Sequence, residues 1–195
     1  ILYNTRPAFP LMGDIPSVRL GYYEPAFKFC IADIAGPVLV KVTRNVRAKR
    51  YIFVYSCLTT RGIHLELIEK LDSNSTLLAL QNAINSKGAP ERIVTDNGTN
   101  FVGANRIMKE EIARWNRALE SKGAIKKPIE WDFGPARVSH MQGAVESLIK
   151  LVKTAMKKVL LMLKTKTEIL NDFALRAILL EVAGLLNNRP LTLAP

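Results

Sequence analysis

An uninterrupted apolar segment followed by an alternating one constrains the fold of this chain most strongly. Residues 51–58 are apolar at nearly every position, which predicts a central strand, whereas residues 63–67 alternate strictly and predict a strand exposed on one face. Before them, residues 27–42 are apolar and β-branched, and Gly36-Pro37 interrupts this predicted strand at a bend or bulge. The simplest arrangement of the three strands is an antiparallel meander.

Helices and strands alternate in the rest of the chain. Asp72 begins an N-cap signal, and the Gly-Ala-Pro at 88–90 ends the helix that follows. The remaining predicted elements are a strand at 92–95, a charged helix at 102–122, a strand at 129–133, and two long helices at about 141–163 and 170–186. Together they predict an α/β fold with a five-stranded mixed sheet, three antiparallel strands and then two parallel ones, flanked by helices.

Proline and glycine divide the chain into a lead-in and one domain. Residues 1–26 contain four prolines and two glycines, which predicts an irregular lead-in, so residues 27–195 form the domain. The start of the chain has neither an initiator methionine nor a signal peptide, and we interpret the sequence as a piece of a longer, non-secreted polypeptide.

The charge balance indicates the kind of partner. Lysine and arginine number 28 against 17 aspartates and glutamates, which gives a net charge of +11 and favours nucleic acid over an anionic membrane surface. The longest apolar stretch, 174–186, contains Arg176 and Glu181 and is too short and too charged for a membrane span. We expect neither a membrane nor a small molecule as the partner.

The two cysteines do not indicate a zinc site. Cys30 and Cys57 lie inside apolar runs and lack the Cys-x-x-Cys or Cys/His spacing that zinc ligands require. We expect both to be buried free thiols in a reducing compartment.

Three acidic residues stand out by their position. Asp33 interrupts an apolar strand, where a carboxylate is costly unless it is paired or binds a metal, although a strand end before a bend also explains it. Asp96 joins a buried strand to an Asn-Gly turn signal and is either functional or turn-forming. Glu146 lies four residues before Lys150 on a predicted helix, the spacing of a surface ion pair. Taken singly, each acid is explained without a function.

The motifs around these acids change that interpretation. Thr-Asp-Asn-Gly-Thr-Asn-Phe at 95–101 and Ser-His-Met-Gln-Gly-Ala-Val-Glu-Ser at 139–147 resemble the catalytic core of retroviral and retrotransposon integrases. Three further segments look most like integrases of the Pao/BEL group of LTR retrotransposons: Ala-Asp-Ile-Ala-Gly-Pro at 32–37, Thr-Arg-Gly-Ile-His-Leu-Glu at 60–66, and Asn-Asn-Arg-Pro-Leu-Thr at 187–192. The resemblance runs from about residue 12 to the end of the sequence and implies an RNase H-like fold, whose element order matches the one above.

The resemblance also implies an activity. It makes Asp33, Asp96 and Glu146 a catalytic triad that binds two Mg²⁺ or Mn²⁺ ions, which take oxygen ligands and stabilise the attacking and leaving oxygens of phosphoryl transfer. In this family, water trims the DNA 3′ end and the exposed 3′-hydroxyl then attacks target DNA. The implied partners are therefore element ends and target DNA, bound by a homo-oligomer in the nucleus after synthesis in the cytoplasm.

The helix that carries Glu146 has two distinct sides. At about 100° per residue, Lys150, Lys153 and Lys157 fall within about 40° of Glu146. Apolar residues cluster on another side: Leu148, Val152, Met156, Val159 and Leu163. The lysines either bind phosphates or form a solvated face. In the family, the lysines four and seven positions after the glutamate contact DNA, and Lys150 and Lys153 occupy those positions.

Several other residues are candidates for DNA contact. Residues 134–143 resemble the mobile loop that borders the family's active site, where Gln142 would reach the DNA end and Gly143 would permit the turn. His140 either assists phosphate binding or has no role. Asn97 either positions water or a phosphate or only forms its turn. The basic segment 41–50, predicted to be an exposed hairpin tip, either contacts target DNA or keeps the hairpin soluble.

The sequence departs from the family pattern outside the core. The zinc-binding domain that precedes this core and the SH3-like β-barrel that follows it have no counterpart, so we expect neither. The separation of Asp96 and Glu146 exceeds that of retroviral enzymes and is usual in the Pao/BEL group. Two rival functions remain: a catalytically inert or domesticated integrase remnant that binds nucleic acid, and an RNase H-type nuclease, which the lack of an identifiable fourth active-site acid disfavours.

Overall fold

The structure, a computed structural model, describes residues 24–95, 109–110, 113–114, 116–117, 120–121, 127–133, 139–162 and 170–189. Its strands are β1 (Phe29–Lys41), β2 (Arg47–Cys57), β3 (Ile63–Ile68), β4 (Arg92–Thr95) and β5 (Glu130–Phe133). Its long helices are α1 (Ser73–Lys87), α2 (Ser139–Met162) and α3 (Asp172–Asn187), and the described residues between 109 and 121 are also helical.

All five strands form one mixed sheet in the order β3-β2-β1-β4-β5. β1 pairs with β2, and β2 with β3, in antiparallel orientation, whereas β4 pairs with β1 and β5 with β4 in parallel. This confirms the predicted meander and the two parallel strands after it. Residues 52–57 of β2 are all buried because this part of the strand lies between β1 and β3, and β3 lies at the edge of the sheet, as its alternating sequence predicts.

Helices cover both faces of the sheet. Val54 and Ala35 lie on the face that packs against Val152 of α2 and Leu175 of α3. On the opposite face, aromatic residues of β2 pack against α1. This layering follows from strand alternation, because successive β2 residues point to opposite faces and both sets are apolar.

Capping side chains set the helix boundaries. The Asp72 carboxylate accepts a hydrogen bond from the Ser75 backbone N–H at 2.7 Å, and Gly88 ends α1 with a φ of 94°. Asn171 caps α3 in the same way, accepting from the Ala174 N–H at 2.8 Å. The predicted boundaries of α1 are therefore confirmed.

The β1–β2 hairpin differs from the prediction in length. β2 begins at Arg47, not at residue 51, so only residues 42–46 lie outside the two strands and half of the basic segment 41–50 is paired strand. The register shifts between Ala35 and Val38, as the Gly-Pro interruption predicts, and the Gly36-Pro37 peptide bond is cis. The prediction missed the start of β2 because consecutive basic residues are typical of an exposed loop.

The cysteines are buried free thiols, as predicted. They are directly opposed on β1 and β2, and the Cys30 thiol donates to the carbonyl oxygen of Phe27 at 3.1 Å. Burial raises the pKa of Cys30, so this thiol stays protonated. Within the described part of the chain, no helix is both long and apolar enough to traverse a lipid bilayer.

Candidate active site and nucleic-acid interface

Asp33 is the one predicted catalytic acid whose side chain the structure describes. It lies on β1 directly opposite Val54, which places it on the sheet face that α2 and α3 cover. The carboxylate is half-buried, and its Oδ1 accepts a hydrogen bond from the Ile34 backbone N–H at 2.6 Å. A carboxylate is thus held at a fixed position on a partly covered face.

The parallel pairing of β4 ends beside Asp33. Thr95, the last residue of β4, is in register with Ala32 of β1. One residue earlier on each strand, Val94 and Ile31 share one apolar cluster and are also in register. Asp96 and Asn97, which come next in the sequence, lie outside the described residues.

Glu146 belongs to α2, the helix that packs on the face of Asp33. Val152, Met156 and Val159 of this helix are buried against Ala35 and Val40 of β1. The side chain of Glu146 lies outside the described part of the structure. The fold therefore brings the helix that carries Glu146 to the same side of the sheet as Asp33, and it leaves the contact between the acids as a prediction.

The segment before Glu146 differs from the prediction. α2 begins at Ser139, so His140, Gln142 and Gly143 lie in its first turns and not in a loop. A glycine inside a helix costs only about 1 kcal/mol relative to alanine, which the 24 residues of α2 tolerate, whereas the prediction took Gly143 as a loop residue. The side chains of His140 and Gln142 are outside the described set.

The donor chemistry suits a hard divalent cation. Carboxylate oxygens are the ligands that Mg²⁺ and Mn²⁺ prefer, and the predicted triad consists of carboxylates alone. Among the side chains that the structure describes, no three acidic, histidine or cysteine residues cluster closely enough to bind a metal ion. This observation leaves the triad a prediction, because only Asp33 of its three members belongs to that set.

The lysine row on α2 has the arrangement that the helical periodicity predicts. Lys150, Lys153 and Lys157 are exposed, and with Ile149 and Thr154 they line an open concavity of about 450 Å³. None of the three lysines has an ion-pair partner among the described residues. The opposite side of the helix is buried in the core at Val152, Met156 and Val159. The row is thus a continuous cationic surface on a firmly packed helix, which is suited to binding phosphates.

The Asn-Asn-Arg-Pro motif after α3 has a structural role that the sequence did not reveal. The Asn187 side chain accepts from the Ile63 N–H at 2.7 Å and donates to the Ile63 carbonyl at 2.9 Å. The Arg189 guanidinium donates to the carbonyl oxygens of Leu186 and Arg61. These contacts join the end of α3 to the edge strand, and no local pattern could have predicted partners more than 120 residues apart in the chain.

Comparisons with known proteins address the topology. No protein-family model matches the chain, and no curated protein matches it. Solved structures do match, among them three integrase structures. The HTLV-2 integrase catalytic core domain, in a dimeric form with magnesium, is 18% identical, with 88% of this chain and 93% of that chain covered and a TM-score of 0.58. The BIV integrase catalytic core domain is 17% identical, with 86% and 88% covered and a TM-score of 0.56.

The third is the simian T-cell lymphotropic virus intasome in complex with PP2A regulatory subunit B56 gamma. It is 18% identical, with 88% of this chain and 57% of that chain covered and a TM-score of 0.54. The chain has the RNase H-like fold of integrase catalytic cores. At 17–18% identity this likeness establishes the fold alone, so a function has to be argued from the residues that the fold positions.

Proposed function

We propose that this chain is the catalytic core of an LTR-retrotransposon integrase of the Pao/BEL type, which binds DNA and catalyses metal-dependent 3′-end processing and strand transfer. The position of Asp33 carries the proposal. This acid lies where β4 ends and on the face that α2 covers, in a fold shared with retroviral integrase cores. Asp96 follows β4 in the sequence and Glu146 belongs to α2. All three acids are therefore expected close to the point where β4 ends.

The register of the parallel strands supports this expectation. Because Ala32 is paired with Thr95, continuing the pairing by one residue sets Asp33 beside position 96. Paired residues of neighbouring strands share a face, and residues two apart on one strand share it as well. Val94 and Ile31 already lie on one face, and positions 96 and 33 each follow them by two residues.

The proposed chemistry is two successive phosphoryl transfers. Water attacks a phosphodiester near the DNA 3′ end, the bond from phosphorus to the 3′ oxygen breaks, and a 3′-hydroxyl is released. That hydroxyl then attacks a target phosphodiester, and the corresponding bond in the target breaks. Asp33, Asp96 and Glu146 would hold divalent cations, which would supply charge stabilisation for the attacking and leaving oxygens, as two-ion sites do. The HTLV-2 core in the comparison is itself a complex with magnesium.

The residues around the acids bind and orient DNA in this proposal. Lys150, Lys153 and Lys157 bind backbone phosphates along α2, because their charges face solvent on a helix whose other side is fixed in the core. The start of α2 and the end of β4 meet the DNA end close to the acids, through Gln142, Gly143, His140 and Asn97. Integration requires access to chromosomal DNA, so we place the activity in the nucleus.

A second copy of the chain is the proposed protein partner. One face of α3 carries exposed apolar side chains at Phe173 and Leu180, which are 83% and 70% exposed, with Ala177 between them and Gly184 beyond. The spacing of these four positions by three or four residues forms one stripe on the helix. Exposed apolar stripes mark protein contacts, and HTLV-2 core structures include a dimeric and a trimeric form.

Nicking and disintegration of branched DNA in Mg²⁺ or Mn²⁺ test the proposal. Asp33→Asn, Asp96→Asn and Glu146→Gln should each reduce activity to background, because each removes a charged metal ligand without changing side-chain size. Glu181→Gln, at an exposed position of α3, is the matched control and should retain full activity.

The same assay separates the rival functions. Wild-type protein that binds DNA without cleaving it in either metal would favour an inert binding module. Cleavage of the RNA strand of an RNA–DNA hybrid, without action on branched DNA, would favour an RNase H-type nuclease. Unchanged DNA nicking after any of the three acid substitutions would refute the assigned triad.

A further inference from the structure

The β1–β2 hairpin extends beyond the rest of the sheet as a two-stranded ribbon. β4 pairs with β1 only as far as Ala32, and β3 pairs with β2 only as far as Tyr51. Beyond these points the register joins Val38 to Arg50 and continues to Lys41 opposite Arg47. We define residues 38–50 as the ribbon. It leaves the sheet in the direction in which β4 ends, past the position of Asp33.

A β-bulge determines which ribbon residues face solvent. Between Ala35–Ile52 and Val38–Arg50, two β1 residues oppose the single β2 residue Tyr51. The bulge shifts the alternation of β1 by one residue, so Val38 and Val40 pack against the core that α2 and α3 cover. The side chains of the intervening positions therefore point away from that core.

The outward face of the ribbon is cationic. Its two cross-strand pairs are Leu39 with Lys49 and Lys41 with Arg47, and all four residues are exposed. Lys41, Arg44, Asn45 and Arg47 line an open concavity of about 560 Å³ near the tip. Residues 41–50 include no acid. Like charges directly opposite each other on a sheet repel, so the Lys41–Arg47 pair favours an anionic ligand.

These cations are free of internal partners, in contrast to the ribbon's remaining arginine. Within the described residues, Lys41, Arg44, Arg47 and Lys49 form no ion pair. Arg50 donates from Nε and Nη2 to both carboxylate oxygens of Asp172 at 2.7 and 2.8 Å. The backbone N–H of Lys41 also donates to the Leu170 carbonyl at 2.7 Å. Both strands of the ribbon are thus anchored at the start of α3, while the other four cations remain available.

We propose that the ribbon is a second DNA-binding surface, which contacts duplex backbone phosphates distant from the catalytic acids. Lys41 follows Asp33 by eight residues, or about 26 Å of extended strand, which corresponds to about 8 base pairs of duplex. A duplex that meets the acids and runs along the ribbon therefore reaches these cations at that separation. The proposal rests on the proposed function for the location of the reacting phosphate, and its binding surface is independent of catalysis.

The test is the salt dependence of DNA affinity for the variant K41Q/R47Q/K49Q. All three side chains are exposed and unpaired in the described structure, so the fold should persist, and thermal unfolding checks this. For a duplex long enough to span the ribbon, the slope of log affinity against log salt should fall by about 2 to 3, at about 0.9 per phosphate contact. A duplex ending fewer than about 7 base pairs from the reacting phosphate should bind both proteins alike.

The control variant removes the same charge elsewhere. K87Q/K127Q/K158Q takes three exposed lysines from α1, from the segment before β5 and from α2, none of them on the ribbon. It should change the salt slope by no more than about 0.9, the contribution of one phosphate contact. If the ribbon triple variant unfolds, R44Q at the tip, outside the paired strands, should still lower the slope by about 0.9.

The outcomes separate this proposal from the proposed function. A reduced slope in the ribbon variant, with an unchanged nicking rate on the shorter duplex at saturating DNA, supports both. A reduced slope in a protein without nicking activity supports the ribbon surface and contradicts only the catalytic assignment. Equal slopes for wild type and the ribbon variant, equal losses in the ribbon and control variants, or a ribbon that binds anionic vesicles while its DNA affinity is unchanged would each overturn the ribbon proposal.

Discussion

The side-chain amide of Asn187 accepts a hydrogen bond from the Ile63 backbone N–H at 2.7 Å and donates one to the Ile63 carbonyl oxygen at 2.9 Å. Ile63 begins the edge strand β3 and is 1% exposed, whereas Asn187 ends α3. The amide thus takes the place of a neighbouring strand at the point where the sheet would otherwise present unpaired backbone groups. This pair of bonds attaches α3 to the sheet.

Replacement of this asparagine should destabilise the domain. Asn187→Ala leaves the buried N–H and carbonyl of Ile63 without partners, which should lower the free energy of unfolding by about 1–3 kcal/mol. Urea unfolding followed by circular dichroism measures the change. The neighbouring Asn188→Ala, at an exposed position, should change it by less than about 0.5 kcal/mol, and equal losses in both variants would contradict this role.

Two glycines should respond to alanine in opposite directions. Gly36, at the bulge, has a φ of 138°, and an added Cβ would lie 3.2 Å from the Arg50 carbonyl oxygen, so Gly36→Ala should destabilise by more than about 1 kcal/mol. Gly184 lies inside α3 with open space around it, so Gly184→Ala should stabilise by up to about 1 kcal/mol. Thermal unfolding of both variants checks the two signs, and destabilisation by both would contradict the account of the bulge.

The ion pair at the base of the ribbon should make stability depend on pH. The Arg50 guanidinium holds the pKa of Asp172 below its ordinary value of 3.8. A lowered folded-state pKa contributes stability that is present above pH 3.8 and is lost as pH falls through the folded-state value. The advantage of wild type over Asp172→Asn should therefore be constant near neutral pH and shrink below about pH 4. Urea unfolding across this range measures it, and a pH-independent difference would contradict the pairing.

Local sequence patterns predicted the elements well because each signal acts within a few residues. The alternation at 63–67 gave the half-exposed strand β3, and Asp72 gave the N-cap of α1. The periodicity of α2 separated Val152 and Met156 on the buried side from the lysine row. The Gly-Pro interruption correctly located the bulge in β1.

Contacts between distant segments were not predictable in the same way. Arg50 and Asp172 are 122 residues apart, and nothing in the sequence near either residue indicates the other. The start of β2 at Arg47 was missed because Arg47 pairs with Lys41, and local patterns do not predict a strand pairing between like charges. The helix was predicted from about residue 141, close to its start at Ser139, and the segment up to Gly143 was assigned to a loop only through its resemblance to the family's mobile loop.

The lysine row of α2 should contribute directly to DNA affinity. Lys150→Ala combined with Lys153→Ala should reduce the slope of log affinity against log salt by about 2, because two phosphate contacts are lost. Fluorescence anisotropy with labelled duplex measures the slope. Lys158→Ala lies on the same helix outside the concavity and is the control, so a slope that is unaltered in the double variant would place the DNA elsewhere.

The most direct measurement is a crystal structure of this chain soaked with Mn²⁺, with the anomalous signal used to locate the ions. The account predicts ions ligated at about 2.1 Å by carboxylate oxygens of Asp33, Asp96 and Glu146, on the sheet face that α2 covers. Ions bound elsewhere, or any one of these three carboxylates on the opposite face of the sheet, would contradict it.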